Sequence, residues 1–228
     1  MKDCTQLDHL VVLASSLEQG VAWCEAALGI TPDAGGRHAF MGTHNRLLRT
    51  SSGAFPNSYL EIIAIDPDGK PPTNSQRWFD MDDAALQAKI QKDGPRLIHW
   101  VARVPQIDAA TQALRKLGLT VGTPQAASRM TPRGLLEWQI GLRSDGVRPL
   151  DGCLPTLIHW SGPHPEANLQ DNGVQLLQME LQHPQAAVLS AALVELGLPQ
   201  LPVTAADAPA LVTHFATPRG PVTLHSSI

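Results

Sequence analysis

One plan recurs three times along this chain: an apolar strand, an amphipathic helix, and a Leu-Gly-aliphatic stop. The first copy is LDHLVVLASSLEQGVAWCEAALGI (Leu7 to Ile30), the second LIHWVARVPQIDAATQALRKLGL (Leu97 to Leu119), and the third LLQMELQHPQAAVLSAALVELGL (Leu176 to Leu198). Each strand alternates or is apolar on both faces, as expected where one face packs under a helix. Each helix carries aliphatics three and four residues apart and stops at a glycine, a common C-terminal signal. Self-similarity at this length means that the fold is assembled from like units.

Aligned on Gly29, Gly118 and Gly197, the strands fall into register: His9 lies 20 residues before its glycine, His99 lies 19 and Gln178 lies 19. A turn follows in each copy, GTHN at Gly42 to Asn45, TPRG at Thr131 to Gly134, and TPRG at Thr217 to Gly220, and predicts a hairpin. Copies one and two then add a closing strand, SYLEIIAID and PTLIHWSGP, which copy three lacks. The expected organisation is a first βαβββ module (1–66), a linker with a short helix near Asp82 to Gln91 (67–95), a second βαβββ module (96–165), and a truncated third βαββ module (173–228). The fold class expected is α+β, with paired βαβββ modules forming an open, barrel-like sheet around a concave site. The third copy is expected as a structural partner, packed on the barrel or pairing across a two-fold axis in a homodimer.

The bulk numbers narrow the partners. A net charge of −4 and a pI near 6.1 argue against nucleic acid or an anionic membrane. No run approaches the roughly 20 apolar residues of a membrane span, and MKDCTQLDHL has no apolar signal core. Cys4, Cys24 and Cys153 are scattered, without metal-ligand spacing. A cytoplasmic setting with inert thiols is expected, and a small molecule as partner.

The string Leu-Ile-His-Trp occurs at Leu97 to Trp100 and again at Leu157 to Trp160, but the two are not repeat-equivalent. The first opens copy two and matches LDHL; the second closes it and matches YLEI. That alignment sets His99 against His9, and His159 against Glu61. Strand alternation puts Leu7, His9, Val11 and Leu13 on one face and Asp8, Leu10 and Val12 on the other, while Tyr59, Glu61 and Ile63 share a face. Two modules side by side would bring His9, Glu61, His99 and His159 to one depth. Imidazoles with a carboxylate suit zinc, manganese, iron(II), nickel or cobalt, and a site at a barrel mouth leaves positions free for substrate oxygens. Singly, each residue has a plainer role: a satisfied strand histidine, or a Glu61 paired with Arg46, Arg49 or Arg103. The conjunction of ligand types at two equivalent pairs of positions is what favours a metal.

The stretches LDHLVVLA, GGRHAFMGTHN, YLEIIAIDP, SRMTPRGLLEW and LPTLIHWSGPHP, which run in order from residue 7 to 165, resemble the vicinal oxygen chelate superfamily and, more closely, its glyoxalase-like domain family. The resemblance implies paired βαβββ modules and a divalent metal held by first and last strands. It implies no single reaction. Superfamily metal sets usually include one or two carboxylates, and the closing strand of module two commonly carries one; here His159 stands there. His38, in GGRH, is the alternative fourth ligand or a rim residue. The motif stretches also carry Arg37, Asn45 and Arg129. Arginine grips a carboxylate or phosphate with two prongs, whereas Asn45 has the alternative of serving only the turn. Glu61 and Glu137 are the candidates for proton transfer. Trp100, Trp138 and Trp160 are expected in the core, and Arg77 to Phe79 as an apolar anchor of the linker. The expected activity is that of a metal-dependent lyase or isomerase of the glyoxalase kind. The alternatives are a metal-free binding or sequestering protein and an extradiol-type dioxygenase.

Overall fold

Ser16 and Gly29 bracket the first helix as their chemistry requires. Ser16 accepts from the Gln19 N–H, and Gly29 takes the left-handed conformation, φ 78°, in which its N–H reaches the Glu25 carbonyl. The computed structural model describes residues 4–131 and 133–226; Pro132, inside the second expected turn, lies outside them. The first module consists of β1 (Gln6–Leu13), α1 (Leu17–Leu28), β2 (Asp33–His38), β3 (Thr43–Arg49) and β4 (Tyr59–Ile65). Within the linker, Asp83 caps α2 (Ala84–Asp93). The second module consists of β5 (Arg96–Arg103), α3 (Ile107–Lys116), β6 (Thr123–Thr131), β7 (Gly134–Leu142) and β8 (Thr156–Trp160).

These strands form one sheet in the order β2-β3-β4-β1-β5-β8-β7-β6. Each module pairs its first and last strands in parallel, and the modules join where β1 and β5 run antiparallel. Leu10 faces Trp100 across this junction, with His9 opposite Val101 and Val11 opposite His99, so exchanging the modules reproduces the pairing. The sheet curls until its edge strands β2 and β6 approach one another.

Each opening strand carries a bulge on the residue before its histidine. Asp8 is the extra residue between Leu7 and His9, and Ile98 the extra residue between Leu97 and His99. The bulge corrects the expected alternation: Leu7 joins Leu10 and Val12 in the outer core, while Val11 and Leu13 face the barrel interior. The linker closes the interior at one side. Trp78, Phe79 and Met81, with Leu86 and Ile90 of α2, pack against Val11, Leu13, Ile63 and Val101. Phe79 and Asp80 take left-handed backbone to make this inward turn, φ 61° and 57°, and Arg148 holds Asp80 at 2.7 Å.

The third segment forms β9 (Gln175–His183), α4 (Ala186–Glu195), β10 (Val203–Ala205), β11 (Ala210–Thr217) and β12 (Gly220–His225). The short β10 makes this one strand more than the expected βαββ. The order β10-β9-β11-β12 places the first strand inside the sheet, unlike either module. The segment packs on its own barrel: Leu176, Met179, Leu181, Leu211 and Phe215 share one core with Leu7, Leu10, Trp100 and Leu157. Arg219 in its last turn donates to the Glu25 carbonyl near the end of α1, where a cation also suits the helix dipole. Among the described residues no helix is long and apolar enough to cross a membrane.

Candidate active site

The bulge at Asp8 fixes the chemistry of His9. It turns the Asp8 carboxylate inward beside the imidazole, so that Oδ1 lies 2.7 Å from His9 Nδ1 and Oδ2 accepts from Trp160 Nε1 and His164 Nε2, both at 3.0 Å. Complete burial alone would raise the Asp8 pKa. The hydrogen bonds from His164 and His9, and their charges, outweigh it and hold the carboxyl far below the usual range. An ionised Asp8 makes His9 Nδ1 a donor, which leaves Nε2 with its lone pair facing the cavity. Tyr59, on the neighbouring strand, stacks on the His9 ring with centroids 4.7 Å apart. Burial, followed by the charges of Asp8 and Glu61, raises the Tyr59 pKa well above its ordinary value, so its phenol stays neutral.

Glu61 Oε2 lies 3.6 Å from His9 Nε2, too far for a good hydrogen bond and near enough to share a proton or a ligand atom. Its other oxygen accepts from Asn45 Nδ2 at 2.6 Å. Asn45 is thus a cavity residue in β3, not a turn residue. Its Oδ1 accepts from the Gly36 N–H at 2.8 Å and from Arg129 Nη1 at 3.4 Å. His38 closes the row, with Nδ1 3.1 Å from Thr43 Oγ1 and Nε2 3.5 Å from Asn45 Nδ2. Burial, helped by the positive charge of Arg129, lowers its pKa to about 3, so His38 is neutral at ordinary pH. The cavity these groups border has about 470 Å³ of empty space including its mouth, and is walled by Trp78, Phe79, Trp138 and Trp160.

Four expectations need correction. His159 does not meet Glu61's counterpart position: it points out of the barrel, where Nδ1 lies 3.0 Å from the Val104 carbonyl. Val11 pairs with Glu61 and Val101 with Thr156, so the residue equivalent to Glu61 is Thr156. The alignment by LIHW was displaced three residues, and an odd displacement turns a strand over. His99 does face inward, but both its nitrogens are engaged. Nδ1 lies 3.1 Å from the Gly152 carbonyl, and Nε2 lies 2.9 Å from Thr156 Oγ1 and accepts from the Thr156 N–H. Phe79 lies against its ring, 5.0 Å between centroids, and lines the cavity that His99 does not. Glu137 is exposed, because Trp138 takes the inward position beside it. Arg37 turns outward to Asp66 and Asp68, both at 3.1 Å. The tryptophans are in the core as expected, Trp100 in the outer one and Trp138 in the inner one with Trp160 packed against it, and the latter two also line the cavity.

The divalent metal implied by the resemblance is therefore poorly served. Among the described residues no three His, Cys, Asp or Glu side chains are gathered so as to hold a cation. Of the four expected ligands only His9 and Glu61 present free donors to one point, and Arg129 adds positive charge to the same cavity. The expected His3Glu set does not fit. Asp8, Tyr59 and His164 are not among the expected site residues, although Asp8 and Tyr59 lie in the motif stretches and His164 follows in GPHP.

The sequence profile of the glyoxalase-like domain family matches residues 7–197. The chain belongs to that family. Among solved structures, this glyoxalase-like chain is similar to a hypothetical protein from Staphylococcus aureus (14% identity over 97% of this chain and 85% of that one, TM-score 0.58), a likeness of fold. Weaker likenesses include methylmalonyl-CoA epimerase from Mycobacterium tuberculosis (18% identity, 73% and 95% covered, TM-score 0.41). A variant of the Streptomyces coelicolor methylmalonyl-CoA epimerase in complex with 2-nitronate-propionyl-CoA is comparable (18% identity, 70% and 99% covered, TM-score 0.44). No curated protein matches the chain.

Proposed function

We propose that this chain is a proton-transfer enzyme of the lyase or isomerase kind, acting on a small oxygen-rich molecule, with His9 and Glu61 as its acid–base pair. One observation carries the reading: His9 Nε2 and Glu61 Oε2 face each other at 3.6 Å inside the cavity, each fixed from behind, His9 by Asp8 and Glu61 by Asn45. Two lone-pair groups held this way need something between them, and a proton taken from a bound substrate meets that need. His9 accepts at Nε2 while Asp8 stabilises the imidazolium that results. The imidazolium then gives that proton across the 3.6 Å to Glu61, which delivers it to the substrate's other atom or face, so that both groups end as they began. The tryptophan walls limit water around the reacting carbon, which strengthens both interactions.

The same donors favour proton transfer over a metal-bound reaction, because two ligands beside an arginine make a poor cation site. The test is solvent-deuterium exchange at the carbon next to the carbonyl or hydroxyl, followed by NMR over a panel of small hydroxy- and keto-acids. Exchange by the wild type that falls at least about 10²-fold in His9→Ala and Glu61→Gln supports the proposal. Binding without exchange would instead favour a sequestering protein, and exchange that survives both substitutions would sink it.

A further inference from the structure

Arg129 borders the cavity and, among the described residues, holds no carboxylate, unlike several arginines around the barrel. Arg37, Arg49, Arg77, Arg143 and Arg148 each hold a carboxylate. Among the described residues Arg129 has instead one long hydrogen bond, 3.4 Å to Asn45 Oδ1, and a buried Nε with no partner. Leaving a buried guanidinium N–H unmet is unfavourable, yet the fold makes room for it. A Cβ on Gly36 would lie 2.4 Å from Arg129 Nη1, and one on Gly35 would lie 2.3 Å from the Asn45 carbonyl oxygen. Gly36 thus leaves the guanidinium room to cross the seam between β2 and β6 into the cavity, while Gly35 lets Asn45, its hydrogen-bond partner, lie close under β2.

We infer that Arg129 is the anion-recognising residue of the cavity, and that the ligand is a small monocarboxylate whose oxygens take up its unfilled N–H groups. The inference rests on the reading that the cavity beside His9 and Glu61 is the ligand site. Geometry sets the size: Arg129 reaches Asn45, and Asn45 reaches Glu61, so a carboxylate on Arg129 places the next carbons beside Glu61 and His9. Charge sets the class. His38 is held neutral and adds no second cation, while Glu61 sits one side chain away and would repel a dianion. A single guanidinium fork matches a planar carboxylate in two-pronged fashion.

Binding is read from the cavity tryptophans by fluorescence and confirmed by calorimetry, using pyruvate, its neutral amide and inorganic phosphate. The wild type is expected to prefer pyruvate to the amide by about tenfold or more, and to prefer it to phosphate. Arg129→Gln should abolish that preference, and Arg129→Lys should keep part of it. The lysine variant retains the charge, and its graded loss reads the fork even if the glutamine variant misfolds. Equal binding of acid and amide, no binding of pyruvate, a preference for phosphate, or an unchanged preference in both Arg129 variants overturns the inference. Loss of deuterium exchange with the carboxylate preference intact would count against the proposed reaction alone.

Discussion

Thr156 Oγ1 lies 2.9 Å from His99 Nε2, in the register position that Glu61 holds beside His9. The two halves of the barrel therefore carry the same pair of positions with different chemistry. In module one a carboxylate faces an open imidazole nitrogen; in module two a hydroxyl and an N–H fill it. The asymmetry predicts a division of labour. Thr156→Ala should destabilise the fold by about 1 kcal/mol, with His99 keeping the backbone N–H, and should leave ligand binding at the cavity unchanged. Glu61→Gln should do the reverse. Urea denaturation of the two variants beside ligand titration reads both effects, and lost binding in Thr156→Ala would show that module two contributes to the site.

Asp8→Asn tests whether the bulge positions His9. The amide keeps the shape but directs an NH2 group at one of the three donors now held by Asp8. His9 then loses the partner that keeps its proton on Nδ1. The expected outcome is a loss of exchange activity on the order of 10² or more, as for a general base held in the wrong tautomer. The ¹⁵N shifts of His9 should move from the Nδ1–H pattern toward Nε2–H, which a merely structural role of Asp8 would not produce.

Much of this arrangement was legible in the letters. The Leu-Gly stops of α1 and α3 reported the repeat, and the repeat implied paired βαβββ units. The face shared by Tyr59, Glu61 and Ile63 followed from plain alternation, and His9 and Glu61 do meet. What the letters hid was register. A bulge leaves no mark in composition, so Leu7 was placed on the wrong face and Asp8 passed for a residue on the far side of its strand. Matching the second LIHW to YLEI gives an alignment three residues out, which makes His159 a ligand where Thr156 stands in its place. The inward turn of Trp78 and Phe79 depends on left-handed backbone at Phe79 and Asp80, which neither residue type announces.

Metal removal separates the acid–base reading from a metal-dependent one. With two free donors and a nearby guanidinium, the protein purified without a histidine tag should contain no stoichiometric Zn, Mn, Fe, Ni or Co. Chelator treatment should change neither its thermal midpoint nor its exchange activity. Stoichiometric metal that disappears in both His9→Ala and Glu61→Ala would overturn the acid–base reading.

Acid should unfold this protein through two neutral histidines. Burial is the main cause at both: His38 is depressed to about 3, with Arg129, His9 and His44 adding to the effect, and His99 to about 3, with Arg148 and His9 adding and the Gly152 carbonyl opposing. Each gains a proton near 6.5 when unfolded and only near 3 when folded, so the unfolded state binds more protons between those values. Stability is then full above pH 6.5 and falls toward pH 3 by about 1.4 kcal/mol per pH unit for each histidine. Asp8, depressed in the folded state, adds a further loss as pH drops through the carboxylate range. Urea midpoints between pH 7.5 and 4 should trace this slope, and His38→Gln should remove about half of it.

Phe79 decides whether His99 stays dry. Its ring lies against the imidazole on one side and forms part of the cavity wall, while the Gly152 carbonyl and Thr156 hold the nitrogens. Phe79→Ala should destabilise the fold by about 3–5 kcal/mol, through lost burial and the space left behind. It should also join the cavity to His99 and admit water beside the ring. Desolvation is the first cause of the low His99 pKa, so that pKa should rise from about 3 toward 6.5, measured by NMR titration of the ring Cε1–H. A pKa that stays low in a folded Phe79→Ala variant would assign the sealing to Arg148 and the turn through Gly152, with the aromatic plug serving only to fill the barrel.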